Sequence, residues 1–209
     1  MTQVAALVLA AGAGRRFAAA GGVGQKLLAT VDGRPLLSSV LDVAMTAGLD
    51  PVLIVVPPDN DELIALAETH PAIRIVVNPD AAVGMATSVA AGLEALASTV
   101  DMAGTVGACV VLLGDQPGID PDVIEAVVGA SQRSGRPARA RYSDGVGHPV
   151  VLPRASWSGL VAGLPSTGSP ERGAQGLLTG LGVIEVDVIR PMPLDIDVPE
   201  DIHRAGDVA

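Results

Sequence analysis

Four short, nearly uninterrupted apolar runs constrain this chain most: residues 4–9, 52–56, 73–77 and 108–113. The first is followed within three residues by Gly12, and the others directly by Pro57, Asn78 and Gly114. Strands buried on both faces read in this way, whereas half-exposed strands alternate with polar residues. Helical segments lie between the runs. Pro35 opens a helix to about Ala47, ended by Gly48. Asp59 or Asn60 caps a helix to about Thr69. Residues 84–97 carry Met85, Val89, Leu93 and Leu96 near helical spacing, and Asp120-Pro121 caps a fourth helix. This order predicts an α/β fold of three layers, α/β/α, with a Rossmann-like, mostly parallel sheet covered by helices on both faces. Right-handed crossovers then put the loops after the first, third and fourth strands along one carboxyl edge.

From about residue 137 the rhythm changes. Residues 139–152 read as two strands joined around Asp144-Gly145, an antiparallel addition to the sheet. Residues 154–182 are Gly- and Ser-rich with short helices, and 183–188 give one more strand. There is no internal repeat, so residues 1–209 are expected to form a single domain with an elaborated second part.

Composition narrows the function classes. The chain is 49% apolar and only 1% aromatic, so its core must come from Ala, Val, Leu and Ile. A formal charge of −10 argues against general binding to nucleic acid or an anionic membrane. No positive segment precedes the first apolar run, and no stretch reaches the roughly 20 apolar residues of a membrane span. A soluble, cytoplasmic protein is expected. Cys109, the single cysteine, sits in an apolar run and excludes an intramolecular disulfide. Lys26 is the single Lys among 13 basic residues, which suggests a place where a compact ammonium is needed.

Four segments at strand ends can carry chemistry. The first is Leu9-Ala10-Ala11-Gly12-Ala13-Gly14-Arg15-Arg16-Phe17, followed by Lys26. Residues 12–25 hold five Gly and read as a long loop, whose backbone N–H groups can approach phosphate oxygens while Arg15, Arg16 and Lys26 add charge. Phe17 stands where a dinucleotide fingerprint needs its third Gly, and Gln25 precedes Lys26 where a Walker loop needs Gly. The second is Asn78-Pro79 with Gly84-Met85-Ala86-Thr87-Ser88, where a helix start favours anions or polar base edges, although a plain cap would read the same. The third is Gly114-Asp115-Gln116-Pro117, an acid directly after a buried strand and a plausible hard-cation ligand. The fourth is Asp195-Ile196-Asp197-Val198-Pro199-Glu200-Asp201: extended, it points Asp195 and Asp197 the same way, and a helix starts at Pro199. His148, in Gly147-His148-Pro149-Val150, lies in the antiparallel addition; His70 and His203 read as surface residues, Met85 and Trp157 as packing.

Taken together, these motifs resemble the molybdenum cofactor nucleotidyltransferases, most closely the cytidylyltransferases, over residues 9–201 and in the family order. The resemblance implies a nucleotide-diphospho-sugar transferase-like fold, with residues 1–136 the nucleotide-binding part and 137–209 an acceptor-side elaboration. It implies Mg²⁺ on Asp115 and Asp197, and catalysis by Lys26, Arg16 and Asp115. The nucleotide would be bound by Leu9, Ala10, Ala11, Gly12, Gly14, Arg15, Asn78, Gly84 and Ser88, with His148 on the acceptor side. Ala11, where GTP-using members show Gly, implies CTP. The reaction implied is transfer of CMP from CTP to the pterin phosphate of the molybdopterin-molybdenum cofactor, giving its cytosine dinucleotide form and pyrophosphate, and a xanthine dehydrogenase-like enzyme is the implied partner. Two departures bear on this: residues 18–25 lengthen the loop before Lys26, and Pro170-Glu171-Arg172-Gly173-Ala174-Gln175 lacks the final Arg of the family's late motif. A nucleotidyltransferase for a sugar, polyol or phospholactate acceptor shares the same parts. A non-catalytic molybdenum cofactor chaperone remains an alternative of another class, and an NAD-dependent oxidoreductase is disfavoured by Phe17.

Overall fold

The computed structural model describes residues 2–98, 106–163, 178 and 180–206. Among these, one sheet holds β1 (Gln3–Leu9), β4 (Val52–Val56), β5 (Ile73–Val77), β6 (Val106–Leu113), β7 (Ala138–Tyr142), β8 (Gly145–Pro153) and β9 (Ile184–Asp187). A separate antiparallel ribbon pairs β2 (Thr30–Val31) with β3 (Arg34–Pro35). The helices are α1 (Arg15–Ala19), α2 (Leu36–Thr46), α3 (Asp61–Glu68), α4 (Met85–Ser98), α5 (Pro121–Ser134), α6 (Arg154–Ala162) and α7 (Pro199–Gly206). The sheet order is β5-β4-β1-β6-β8-β7-β9. Strands β5, β4, β1 and β6 are parallel, and β8 runs antiparallel to both β6 and β7. Strand β9 returns parallel to β7. This is the expected mostly parallel α/β fold with an antiparallel addition.

Alternation along each strand builds two cores. Ala6, Val8, Ile54, Val110 and Leu112 face one side, against Leu37 and Leu41 of α2, Leu63 of α3 and Ile124 of α5. Leu7, Leu53, Val55, Cys109 and Val111 face the other, against Val89, Leu93 and Leu96 of α4 and Trp157 and Leu160 of α6. Both faces of the central strands β4 and β6 are covered, so these two carry no polar side chain for solvent, whereas β5, β7 and β9 nearer the edges carry Arg74, Arg141 and Asp187. Burial pushes the Cys109 thiol far above its ordinary pKa, which leaves it protonated and unreactive.

Local chemistry sets the helix ends. The Asn60 side chain accepts from Leu63 N at 3.2 Å and caps α3, while Asp59 takes a positive φ just before it. Asp120 accepts from Asp122 N at 2.9 Å, Pro121 opens α5, and Gly135 ends it in the left-handed region.

The segment read as one long loop is folded in part. Gly14 takes φ 57°, a value that an L side chain adopts at a cost, and turns the chain into α1. Phe17, 3% exposed, anchors this five-residue helix to the core, and its carbonyl accepts from Gly22 N at 2.9 Å. A second turn, Lys26–Leu28, follows. Residues 195–197 are not a strand; they belong to an irregular segment that leads into α7. Pro170-Gln175 lies outside the described residues. No helix of the described residues is long and apolar enough to cross a membrane.

Helix α4 lies close on β1 because Gly92 has no side chain: a Cβ there would fall 2.1 Å from Leu7 Cδ1, and Leu7 is fully buried. Gly92→Ala is expected to destabilise the protein by about 1–3 kcal/mol, the usual cost of overpacking, despite the better helix propensity of Ala. Urea unfolding measures this.

Candidate functional site

The carboxyl ends of β1 and β6 open into a cleft of about 420 Å³, within the range of small-ligand sites. The residues after β1 form one wall: Ala11, Gly12, Gly14, Arg15 and Arg16, with Phe17 beneath. Ala81, Ala82, Gly84, Met85 and Ser88 form the facing wall, and Lys26, Asp115 and Asp197 close the floor. Most nucleotide-binding and metal candidates read from the sequence thus share one cavity. Ala10 and Asn78 lie just behind it, and His148 is outside it.

Backbone geometry brings Asp115 to the floor. Gly114 N donates to Leu9 O at 3.0 Å, and a Cβ on Gly114 would lie 3.1 Å from that oxygen. A side chain at 114 would crowd the closure of β1 on β6, and glycine there eases it, delivering Asp115 beside the loop that follows Leu9. Lys26 reaches across from its own turn: Nζ is 2.6 Å from Asp115 Oδ2 and 3.8 Å from Asp197 Oδ1, and its side chain is 10% exposed. Arg16 Nη1 pairs with Asp197 Oδ2.

Asp197 arrives from far along the chain on residues 188–198. That segment has no regular structure, so its polar groups are satisfied by other elements. Val188 N donates to Arg141 O at 2.8 Å, and Ser143 N donates to Arg190 O at 3.0 Å. Met192 N donates to Asp144 Oδ1 at 2.8 Å, and Gln116 Nε2 to Pro193 O at 3.3 Å. Ile196 N donates to Asp115 O at 3.1 Å. Arg190 pairs with Asp120 at 2.6 Å and holds that carboxyl below its usual pKa.

Asp115 and Asp197 are both oxygen donors, and a single ammonium already reaches the two of them. Mg²⁺ characteristically takes one or two carboxylates and completes its shell with phosphate oxygens and water, which this pair fits. No group of three or more His, Cys, Asp or Glu among the described residues is arranged to hold a metal by itself. Asp195 stands beside the pair without lining the cleft. Desolvation first, and then the charges of Asp115 and Asp197, push its pKa up to about 6 against the pull of Lys26.

The facing wall is organised by a buried amide. Asn78 is 2% exposed; its Nδ2 donates to Thr87 Oγ1 at 2.9 Å and Ser88 Oγ at 3.0 Å, and its Oδ1 accepts from Asp80 N at 3.0 Å. Ser88 Oγ accepts there, so its proton is free to point into the cleft. Gly84 holds φ 147° directly before α4. Leu27, Ala81 and Ala82 line the cleft without belonging to any of the four segments, and Met85, expected as packing, is 39% exposed at the cleft. The available signal was position: Ala81 and Ala82 fall between Asn78-Pro79 and Gly84, and Met85 falls within the second motif.

His148 faces a small apolar recess lined by Val89, Val111, Val150, Leu152, Leu160 and Leu178, on the α4/α6 side of the sheet. Its Nε2 is buried without a hydrogen-bond partner among the described residues, as is Gln116 Oε1. Burial lowers the His148 pKa to about 4, against a smaller upward pull from Asp115. The imidazole is therefore neutral at pH 7. Its folded pKa lies below the ordinary value of about 6.5, so protonation favours the unfolded chain as pH falls from there toward 4. NMR titration is expected to find a histidine with a pKa of about 4 that is missing in His148→Gln, and the variant should lose up to about one proton from the stability slope over that interval.

Comparison with known proteins matches these features to one family. The model of the MobA-like NTP transferase domain matches residues 6–182. Among curated proteins, the bifunctional protein GlmU of Sorangium cellulosum (strain So ce56) is 31% identical over 172 residues, 78% of this chain and 34% of that one. The 2-aminoethylphosphonate cytidylyltransferase of Lancefieldella rimae is 32% identical over 75 residues, 36% of this chain and 30% of that one. The chain thus spans about a third of the length of the curated relatives it matches. Among solved structures, a homologue of Rv0371c from Mycobacterium sp. strain JC1 is 27% identical with a TM-score of 0.80, covering 98% of this chain and 96% of that one. Rv0371c of Mycobacterium tuberculosis H37Rv, solved in complex with manganese, is 24% identical with a TM-score of 0.75 and 100% coverage of both chains. With the family model matching most of its length, the chain belongs to the MobA-like NTP transferase domain family.

Proposed function

We propose that the protein is a Mg²⁺-dependent nucleotidyltransferase that moves CMP from CTP to a phosphorylated acceptor, the pterin phosphate of the molybdopterin-molybdenum cofactor. The observation that carries the reading is the convergence of Lys26 on Asp115 and Asp197 within the cleft walled by Gly12 and Gly14. A triphosphate needs a backbone that can approach it, cations to balance it and carboxylates to hold its metal, and all three meet here.

The chemistry asks little of a general base. An acceptor phosphate oxygen, already anionic, attacks the α-phosphorus in line; a P–O bond forms there as the bond to pyrophosphate breaks. The obstacle is repulsion between two anions, so positioning and charge neutralisation do the catalysis. The open backbone of Gly12 and Gly14 receives phosphate oxygens, and Arg15, Arg16 and Lys26 balance charge on the departing pyrophosphate. Ser88, held by Asn78, offers its hydroxyl proton to a polar edge of the base. Asp115 and Asp197 would hold Mg²⁺, which when bound neutralises phosphate charge. Manganese in Rv0371c supports a divalent-metal requirement, and the cytidylyltransferase relative supports CTP. That relative's name also favours a second reading, in which a different phosphorylated or phosphonate acceptor replaces molybdopterin. Residues 137–209 are proposed as the acceptor side, His148 itself lying outside the cleft against its apolar recess rather than at the acceptor, and a xanthine dehydrogenase-like enzyme would receive the product.

Two experiments test this. Pyrophosphate release is measured with CTP, GTP and ATP against molybdopterin-bound molybdenum, sugar phosphates and 2-aminoethylphosphonate. Release with CTP and the molybdenum cofactor alone is expected; release only with another acceptor moves the assignment to the second reading, and none with any pair overturns both. Lys26→Ala is expected to reduce turnover by about 10²-fold or more while circular dichroism stays native, and undiminished turnover removes Lys26 from catalysis.

A further inference from the structure

Asp197 reaches the cleft from an irregular segment, so something must hold its backbone still. Two anchors flank it. On one side Ile196, fully buried, donates its N–H to Asp115 O at 3.1 Å. On the other, Asp201 Oδ2 accepts from Asp197 N and from Val198 N, both at 3.0 Å. Asp201 is 7% exposed, and its second oxygen accepts from Arg204 Nη1 at 3.3 Å. Helix α7 begins at Pro199, which makes Asp201 its third residue and Val198 its cap. An acid at that position commonly reaches back to the cap N–H, and this bond explains itself as helix capping. The bond to Asp197 N does not. It lies one residue before the cap, satisfies no helix donor, and orders the residue whose side chain enters the cleft.

We infer that Asp201 is a positioning residue for Asp197: its carboxylate clamps the backbone of residues 197 and 198 and so fixes the Asp197 carboxylate opposite Asp115. The inference rests on the reading of Asp197 as a metal ligand. Groups that orient a metal ligand commonly contribute 10- to 100-fold to metal affinity, and the loss here should be of that order, roughly 10-fold or more. Asparagine at 201 keeps an oxygen that can accept both N–H groups, and should largely restore binding.

The test uses Mn²⁺ alone with the full chain, free ion being counted by electron paramagnetic resonance, so that no turnover is needed. Asp201→Ala should weaken Mn²⁺ binding about 10-fold or more, and Asp201→Asn should bind close to the parent protein. Asn60→Ala removes a comparable helix cap far from the cleft; it should lower the melting temperature and leave Mn²⁺ binding unchanged. Should Asp201→Ala not fold, Asp201→Glu takes its place, since Glu also serves as a capping acid but shifts the acceptor oxygen; weakened Mn²⁺ binding with a parental melting temperature is then expected. Parental Mn²⁺ affinity in Asp201→Ala or its Glu replacement, or an equal loss in Asn60→Ala, overturns the positioning role. Asp197→Asn keeps the two failures apart: if it binds Mn²⁺ as the parent does, the metal reading of Asp197 itself falls.

Discussion

The candidate site depends on one interaction, the Lys26 ammonium shared by Asp115 and Asp197. Each partner comes from a different part of the fold: the turn after the glycine loop, the end of β6, and the segment before α7. Two carboxylates this close repel each other, and a cation between them turns that repulsion into cohesion. An ammonium suits the place better than a guanidinium. It is a compact point charge that can serve two partners at once, whereas the planar fork of Arg favours a single carboxylate. Arg16 illustrates the contrast, pairing with Asp197 alone from the exposed rim. The single Lys of an otherwise Arg-based chain stands where that difference matters most.

The surroundings sharpen this local charge. A chain of net −10 would repel a triphosphate at long range, yet three of its 13 basic side chains line one cleft. Attraction is confined to the place where glycines admit phosphate oxygens, and screening over about 8–10 Å at ordinary salt keeps distant acidic residues from cancelling it. Acidity elsewhere then discourages nucleic acid and other polyanions without weakening the cleft.

How much of this was legible in the sequence follows from where each order arises. The central strands were legible because a strand buried on both faces leaves a continuous apolar run, and helices α3 and α5 because Asn60 and Asp120 announce their starts. Asp115 and Asp197 could be named because acids directly after a buried strand or before a helix have few packing reasons to be there. Helix α1 was not legible: five residues with Phe17 alone buried give no periodicity, and the turn depends on a left-handed Gly14. Nor was the placement of β8 between β6 and β7. A hairpin was evident, but which strand joined the parallel sheet rested on a subtler sign, since Val150, Val151 and Leu152 form a run that needs cover on both faces while residues 138–142 alternate.

The segment of residues 188–198 was the least legible part and does the most to complete the cleft. Beyond the local bonds to Val188 and Asp201, its backbone groups bond one at a time to Arg141, Ser143, Asp144, Gln116 and Asp115. The last five of these bonds are not local, so no window of sequence contains them. Yet three of the partners come from the antiparallel addition and two from the end of β6, and only a sheet that places β8 against β6 brings those groups to one edge. The antiparallel addition therefore has a role beyond closing the sheet. It supplies the surface on which the late segment is laid, and so brings Asp197 to the carboxylate that β6 had already delivered.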